Sequence, residues 1–179
     1  MTHSVQPPAV LISETAIQRR VSELAAQLSA DYAGVDELVM VGVLRGAFIF
    51  LADLSRRLTV PRRVDFIAVS TYGGATETEG AVRLVMDLRV NIAGRHVLVV
   101  EDIVDTGHTL HYLIGMLAAR GPASIKSCAL VRNLARRKVD VTVDYLGFDI
   151  PDVWAVGYGL DYADRFRTLP YIGRVEGEE

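Results

Sequence analysis

The sequence contains one cysteine among its 179 residues, and this scarcity limits how the fold is stabilised. A single cysteine, Cys128, excludes a disulfide bond within the chain. Because Cys128 lies in an apolar run, we predict that its side chain is buried and that the protein occupies a reducing compartment. Stability must therefore come from a hydrophobic core, and 179 residues, 50% of them hydrophobic, are enough for one such domain.

The chain also lacks an excess of positive charge and any long apolar run. Its formal net charge of −3 argues against a general nucleic-acid-binding protein. No apolar run approaches the length of a membrane span, and no basic segment followed by an apolar one opens the sequence. We therefore expect a cytoplasmic protein that binds neither membranes nor nucleic acid. One short basic cluster, which we interpret as a solvated loop, consists of Arg132, Arg136, Arg137 and Lys138.

Apolar strands and amphipathic helices alternate along the chain, which predicts an α/β fold with a central, mostly parallel sheet. Residues 1–9 should be poorly ordered, and residues 10–179 should form a single domain without repeats or linkers. We expect residues 82–88 to pair antiparallel with the strand that begins at Val97. The predicted helices are 13–34, 47–58 and 110–121. The predicted strands are 38–44, 64–71, 82–88, one that begins with residues 97–100, 124–131, 141–146 and 154–156.

The stretch from Val97 to Leu110 concentrates polar groups at the end of a strand. Glu101, Asp102 and Asp105 lie within five residues, at the carboxyl end of the strand, where open α/β sheets place their ligand sites. Three such anions repel one another unless cations or hydrogen-bond donors meet them, so the site requires a partner. The following turn supplies hydroxyl and backbone N–H groups before a helical pattern, which suits a phosphate group. This phosphate loop consists of Asp105, Thr106, Gly107, His108 and Thr109.

The segment EDIVDTGHTL, residues 101–110, resembles the phosphoribosyl-pyrophosphate (PRPP) binding motif of type I phosphoribosyltransferases. Further matches resemble the hypoxanthine-guanine phosphoribosyltransferase family in order and spacing, from about residue 10 to Gly173. They are Leu44-Arg45-Gly46, Thr71-Tyr72, Ile150-Pro151-Asp152, Val156 to Tyr162, and Phe166-Arg167. The resemblance implies the type I phosphoribosyltransferase fold, a parallel sheet flanked by helices with a small hood from the chain ends. It also implies a homodimer or homotetramer.

The activity that the resemblance implies is transfer of 5-phosphoribosyl from PRPP to N9 of a 6-oxopurine, with magnesium required. The phosphate loop would then hold the 5-phosphate. Glu101 and Asp102 would accept hydrogen bonds from the ribose hydroxyls and help to hold magnesium, and Asp161 would hold a second magnesium ion. The Arg45-Gly46 backbone and the Arg167 side chain would bind pyrophosphate.

The purine base would be held by residues from distant parts of the chain. Asp105 matches the position of the general acid or base at purine N7, and a carboxylate near other acids should have a raised pKa. Trp154 matches an aromatic ring that stacks on the base, with Ile103 on the other face of the base. The Ala155 carbonyl would accept from a guanine amino group. Thr71 and Tyr72 would belong to a lid formed by the glycine-rich loop 72–81.

The chain departs from the family pattern at two positions. Arg45 replaces the usual lysine of the turn in which a cis peptide binds pyrophosphate through its backbone, and backbone binding survives that change. Asn133 stands where the family places a lysine that reads purine O6, and neighbouring Arg132 could substitute only if the loop turned it inward. The preference among hypoxanthine, guanine and xanthine is therefore open.

Four other interpretations compete with parts of this hypothesis. The motif at residues 101–107 could be an acidic strand end with a capping turn, and Trp154 could be an ordinary core residue. The protein could prefer xanthine as its base. It could also be an RNA-binding regulator on the same scaffold that senses nucleotides, although such a module needs a basic face. If both Glu101 and Asp102 are to reach the ribose, we expect the chain to bend out of the strand there, because neighbours in a strand point to opposite faces.

Overall fold

The computed structural model describes residues 7–72 and 81–175. The helices are Glu14–Asp31 (α1), Phe48–Arg57 (α2) and His108–Ala118 (α3), with a 3₁₀ turn at Leu134–Arg136. The strands are Ala9–Ile12 (β1), Leu38–Leu44 (β2), Arg62–Tyr72 (β3), Ala81–Met86 (β4), His96–Val104 (β5), Ser124–Asn133 (β6), Tyr145–Ile150 (β7), Trp154–Val156 (β8) and Ile172–Val175 (β9).

Six of the described strands form the main sheet, in the order β4-β3-β2-β5-β6-β7. All neighbouring pairs are parallel except β3 and β4, which are antiparallel. The prediction that β4 would pair with β5 is wrong. The four residues Val97 to Val100 are fully buried, and β2 and β6 occupy both edges of β5, so that no edge remains for β4.

The predicted strand at 141–146 is also wrong, because the strand in this part of the chain is β7, Tyr145–Ile150. The predicted strand included the valines Val141 and Val143, but residues 137–144 form a loop instead. Val141 and Val143 still pack against the core, and Val139 lies beside the phosphate loop. The alternation of these valines therefore reflects partial burial without pairing in the sheet.

The helices cover both faces of the sheet. Helices α1 and α2 pack on one face, and α3 packs on the other, with a separate hydrophobic cluster on each side. Ser13 caps α1, because its side chain accepts a hydrogen bond from the Ala16 N–H at 3.2 Å. None of the described helices is long and apolar enough to cross a membrane.

A second sheet of three described strands, in the order β1-β9-β8, joins the two ends of the chain. Strand β9 is central, since Arg174 is paired with Ala9 of β1 and with Ala155 of β8. This small sheet confirms the predicted hood, although neither β1 nor β9 was recognised as a strand from the sequence. Of the segment predicted to be unordered, residues 1–6 lie outside the described residues and Ala9 begins β1.

Candidate active site

The carboxyl ends of the parallel strands open into a cavity of about 480 Å³. The cavity lies where β2 and β5 diverge, since their pairing ends at Val100 while β5 continues to Val104. Such a divergence at the carboxyl edge is where open α/β sheets bind ligands. The lining includes every residue predicted to bind ribose phosphate, pyrophosphate or metal: Arg45, Gly46, Glu101, Asp102, Asp105, Thr106, Gly107, His108, Thr109, Asp161 and Arg167.

Glu101 and Asp102 lie side by side in a part of β5 that remains regular. The expected bend is absent, because β5 keeps its register with β6 as far as Val104, and both residues nevertheless line the cavity. Burial raises the pKa of Glu101 well above its usual range, and the charge of Asp102 adds to this effect. Burial also raises the pKa of Asp102 to about 6, against opposing hydrogen bonds from backbone N–H groups. Glu101 and Asp102 should therefore bind ligands whose hydrogen-bond donors or positive charges replace the water that the two carboxylates lose on burial.

The turn after β2 lies directly against Asp102. Its Leu44–Arg45 peptide bond is cis. A Cβ atom at Gly46 would lie 1.6 Å from Oδ2 of Asp102, and a Cβ atom at Gly159 would lie 1.9 Å from the Gly46 carbonyl oxygen. Only glycine permits both approaches. The Asp102 side chain of β5, the turn at Gly46 and the loop at Gly159 are therefore in direct contact.

The phosphate loop passes directly into helix α3. Gly107 caps the helix with φ +90°, and α3 begins at His108, two residues earlier than the apolar pattern predicted. The first N–H groups of a helix have no partner within it, so they are available to an anion at this end. The Thr106 carbonyl accepts from the N–H groups of Lys138 and Val139, both at 3.0 Å, which fixes the loop from outside.

Asp105 lines the cavity and has one buried carboxylate oxygen without a hydrogen-bond partner among the described residues. Within the described part of the chain, Oδ1 is buried and accepts no hydrogen bond. Oδ2 lies 3.8 Å from Nη1 of Arg136. Burial raises the pKa of Asp105, Arg136 opposes this effect and the charge of Asp152 adds to it. The predicted direction of the pKa shift is therefore confirmed, although burial contributes more to it than neighbouring acids do.

Arg167, in the segment that follows β8, and Arg45, in the turn after β2, both line the cavity and meet at one carboxylate. Arg167 contacts Asp161 at 2.7 Å and donates to the Gly159 carbonyl oxygen at 2.8 Å. Both Arg167 and Arg45 contact Oδ1 of Asp164, at 3.1 and 2.7 Å. Arg167, predicted to bind pyrophosphate through its side chain, and Arg45, predicted to bind it through its backbone, thus share one carboxylate that sequence reasoning did not single out.

The residues predicted to bind purine are only partly brought together. Ile103 lines the cavity, whereas Asn133, Trp154 and Ala155 do not. Asn133 is 1% exposed, and its side-chain oxygen accepts from the Ala135 N–H at 3.1 Å, which caps the 3₁₀ turn. Trp154 is 51% exposed, so it is not an ordinary core residue.

The sequence model of the phosphoribosyl transferase domain family matches residues 12–163, which include the whole cavity except Arg167. The chain belongs to this family.

Individual relatives extend the family match over nearly the whole chain. The hypoxanthine phosphoribosyltransferase of Haemophilus influenzae is 47% identical over 95% of this chain and 96% of its own length. The hypoxanthine-guanine phosphoribosyltransferase of Bacillus subtilis is 44% identical over 97% and 94%. The crystal structure of a hypoxanthine-guanine phosphoribosyltransferase from Bacillus anthracis superimposes with a TM-score of 0.88 at 47% identity, covering 93% of this chain and 98% of that one. The type I phosphoribosyltransferase fold is thereby confirmed.

Within this phosphoribosyltransferase site, the basic cluster was misinterpreted as a solvated loop. Lys138 lines the cavity, and Arg136 contacts Asp105 and lies over the Trp154 ring, with its guanidinium carbon 4.8 Å from the ring centroid. A signal was present in the sequence, because the cluster begins at the carboxyl end of β6 and continues just after it, and that end reaches the same sheet edge as the acidic pair. Arg137 fits the original interpretation, since it is half-exposed and pairs with Asp140.

The predicted lid is mostly outside the described residues. Residues 73–80 are not among them, and the backbone of Thr71 and Tyr72 forms the end of β3. The lid role of both residues therefore stays a prediction.

The acidic residues fit magnesium only in combination with a substrate. Among the described residues, no group of three His, Cys, Asp or Glu side chains is arranged to hold a metal ion by itself. Glu101, Asp102 and Asp161 nevertheless line one cavity, and carboxylates are preferred magnesium ligands. Magnesium commonly binds to one or two carboxylates plus water and phosphate oxygens, and the donor set fits that arrangement.

Proposed function

We propose that this protein is a purine salvage enzyme that transfers the 5-phosphoribosyl group of PRPP to N9 of hypoxanthine or guanine, giving IMP or GMP and pyrophosphate. The observation that carries the proposal is the single cavity in which a buried acid pair, a phosphate loop and the Arg45-Gly46 turn converge. Full-length similarity to hypoxanthine and hypoxanthine-guanine phosphoribosyltransferases supports it.

The 5-phosphate would bind at the start of α3. The unpaired N–H groups of the first turn and the hydroxyls of Thr106 and Thr109 are donors for phosphate oxygens, and the positive end of the helix dipole favours the anion. Lys138 lines the same cavity and adds a positive charge. This anchor fixes the ribose so that its C1 atom lies between the two reacting groups.

The ribose hydroxyls would donate to Glu101 and Asp102. Hydroxyl donors replace the hydration that both carboxylates lose on burial. These two residues and Asp161 would hold magnesium, which offsets the charge of PRPP and of the departing pyrophosphate.

Pyrophosphate would bind between the turn and the hood. The Arg45-Gly46 backbone, which lies against Asp102, offers its N–H groups, and Arg167 presents a forked cation. Both arginines contact Asp164 in the free protein. Pyrophosphate competes with that carboxylate for the same guanidinium groups. Loss of pyrophosphate from C1 develops oxocarbenium character, and this cation cluster stabilises the leaving charge.

Asp105 would remove the proton from purine N7 as N9 forms its bond to C1. Its buried Oδ1 lacks a partner among the described residues and can accept the N7 hydrogen. A raised pKa brings the carboxyl nearer to neutral pH and makes it a stronger base. Ile103 packs on the base from the cavity, and Trp154 with the Ala155 carbonyl would complete the purine site from the hood.

Initial rates with PRPP, magnesium and each of hypoxanthine, guanine, xanthine and adenine test the proposal. We expect turnover of hypoxanthine and guanine and little turnover of adenine. A preference for xanthine would support the alternative base, and absence of turnover with every 6-oxopurine would refute the proposal. Filter binding to RNA at varied salt concentration tests the alternative that the protein is an RNA-binding regulator. That alternative requires tight binding that salt weakens.

We further infer that the enzyme is a cytoplasmic homodimer or homotetramer. PRPP is highly charged and does not cross membranes unaided, so an enzyme that uses it must be in the compartment that contains it, and we infer that this compartment is the cytoplasm. Apolar side chains exposed on α2, β3 and β4 would be covered between subunits, and analytical ultracentrifugation measures the assembly. These side chains are Phe48, Val64, Val85 and Met86.

A further inference from the structure

Arg136 occupies the centre of a small network beside the reacting carboxylate. Its guanidinium lies 3.8 Å from Asp105, donates through Nε to Asp152 and lies over the Trp154 ring at 4.8 Å. The side chain is 27% exposed, so it is held in place instead of extending into solvent. These contacts connect the residue proposed for N7 with the ring proposed to stack on the base.

The two residues that sequence reasoning offered for recognition of the 6-oxo group are engaged elsewhere. Asn133 is buried, its oxygen caps the 3₁₀ turn and its amide nitrogen lies 3.5 Å from Asp152. Arg132 forms two hydrogen bonds with Asp149, of 2.8 and 3.2 Å, which hold its guanidinium away from the cavity. Neither side chain is available to a base.

The geometry of a 6-oxopurine places N7 and O6 on the same edge. A base whose N7 meets Asp105 therefore has its O6 beside whichever group neighbours that carboxylate, and the neighbour here is Arg136. We propose that Arg136 selects a 6-oxopurine by donating a hydrogen bond to O6 of the base that Asp105 holds at N7. This inference rests on the proposed function and names the residue that sets its substrate class.

Arg136 is suited to this task because a guanidinium has only donors. O6 of hypoxanthine or guanine accepts from it, whereas the 6-amino group of adenine presents another donor and is rejected. In the free protein the Arg136 guanidinium lies over the face of the Trp154 ring. A purine that stacks on this face would take the place of the guanidinium and move it to the edge of the base that carries N7 and O6. Asp152 keeps the guanidinium at that edge and is a positioning residue.

The test compares two nucleotides that differ at position 6 and in the N1 proton that accompanies the 6-oxo group; the change in their ratio between wild type and R136Q isolates the O6 contact, because N1 is on the far side of O6 from N7. The dissociation constants of IMP and of purine riboside 5′-monophosphate, which has hydrogen in place of O6, are measured by calorimetry. The proteins are the wild type, R136Q, R136K and R137Q. R137Q is the matched control because it removes the same charge from the same loop, at a half-exposed residue paired with Asp140. The ratio of the two constants within one preparation does not depend on the folded fraction.

We expect wild type and R137Q to prefer IMP by about 10- to 100-fold, the range for a hydrogen bond to a charged donor. R136Q should reduce the preference to about threefold or less, R136K should be intermediate, and the analogue should bind all four proteins similarly. An unchanged ratio in R136Q would overturn the inference, as would equal weakening of both nucleotides, which indicates an indirect effect. Absence of hypoxanthine turnover by the wild type would instead refute the proposed function.

Discussion

At the scale of single residues, Asp105 combines a buried, unpartnered oxygen with a second oxygen facing Arg136. Asn in its place has a similar shape but cannot take a proton. We expect D105N to lower kcat by about 10²- to 10⁴-fold, the usual contribution of general acid–base catalysis, with the KM for PRPP changed less than about threefold. The matched control is D140N, at a highly exposed carboxylate of the neighbouring loop. Full activity in D105N would refute the assigned role.

The pKa of Asp105 also predicts the pH dependence of activity. The carboxyl must be ionised to accept the N7 proton, so kcat/KM for hypoxanthine falls as the pH drops through its pKa. Burial raises that pKa, so we expect the acid limb to lie above the usual aspartate value of about 4. R136Q removes the nearby cation that lowers the pKa and should move the limb to higher pH. Rate profiles from pH 4 to 8 measure both effects, and a limb moved to lower pH would contradict them.

Asp102 illustrates a residue that is retained for function at a cost in stability. Because burial raises its pKa in the folded protein to about 6, the contribution of Asp102 to the stability of the free protein should be most favourable below about pH 4 and should be lost as the pH rises to about 6. At pH 7, without ligands, we expect D102N to be more stable by roughly 1–3 kcal/mol and to be much less active. Urea denaturation measures the difference.

The control for D102N is D87N, which should show the opposite sign. A hydrogen bond from Arg120 lowers the pKa of Asp87, so its ionised form stabilises the fold. Because this pair is partly exposed, D87N should lose at most about 1 kcal/mol. A D102N variant destabilised at pH 7 would show that the buried charge is compensated in the free protein.

At the scale of elements, the contact between the hood loop and the turn after β2 depends on Gly159. Its φ is +108°, and a Cβ atom there would lie 1.9 Å from the Gly46 carbonyl oxygen. We expect G159A to lose about 2–4 kcal/mol of stability and to raise the KM for PRPP, because the turn and Asp102 must shift together. Urea denaturation and initial rates measure the two effects.

G115A provides a matched glycine control within α3. A Cβ atom at Gly115 meets no heavy atom within 4 Å, and alanine favours the helix. We expect G115A to be unchanged or more stable by about 0.5–1 kcal/mol, with normal kinetics. Equal effects of G159A and G115A would show that the contact is unimportant.

At the scale of the whole molecule, Asp53 connects both helices of one layer with the hood loop. It accepts from Tyr158, Gln18 and Arg56, and Arg57 donates to Gln18 in turn. Burial by itself would raise the pKa of Asp53. The hydrogen bonds outweigh burial, so that the pKa lies below the usual range. The ionised carboxylate therefore orients the hood relative to α1 and α2.

Y158F removes the hydroxyl that donates to this carboxylate. We expect a loss of about 1–3 kcal/mol at pH 7, which becomes smaller below about pH 4 as Asp53 is protonated. The KM for PRPP should rise because Tyr158 lies next to Gly159. Y171F is the control, since the Tyr171 hydroxyl donates to the Pro8 carbonyl oxygen at 3.3 Å, at one edge of the hood, and its loss should cost at most about 1 kcal/mol. Identical stability curves for wild-type and Y158F protein would contradict this connecting role.

The sequence alone determined the alternation of strands and helices, the phosphate loop and the acidic strand end. These features are local: periodic burial, a capping serine and a glycine at positive φ each depend on a few neighbouring residues. Even so, the predicted strand at 141–146 was wrong at Val141 and Val143, because partial burial produces the same pattern with or without a partner strand.

Only the tertiary structure decided which strands pair and which side chains meet. The pairing of β4 with β3, the hood built from both chain ends and the contact of Gly159 with Gly46 join segments far apart in sequence. The same holds at the site, where Asn133 became a cap and Arg136 reached Asp105 and Trp154. A side chain's composition states what it can donate or accept, whereas its partner depends on the packing of the whole chain.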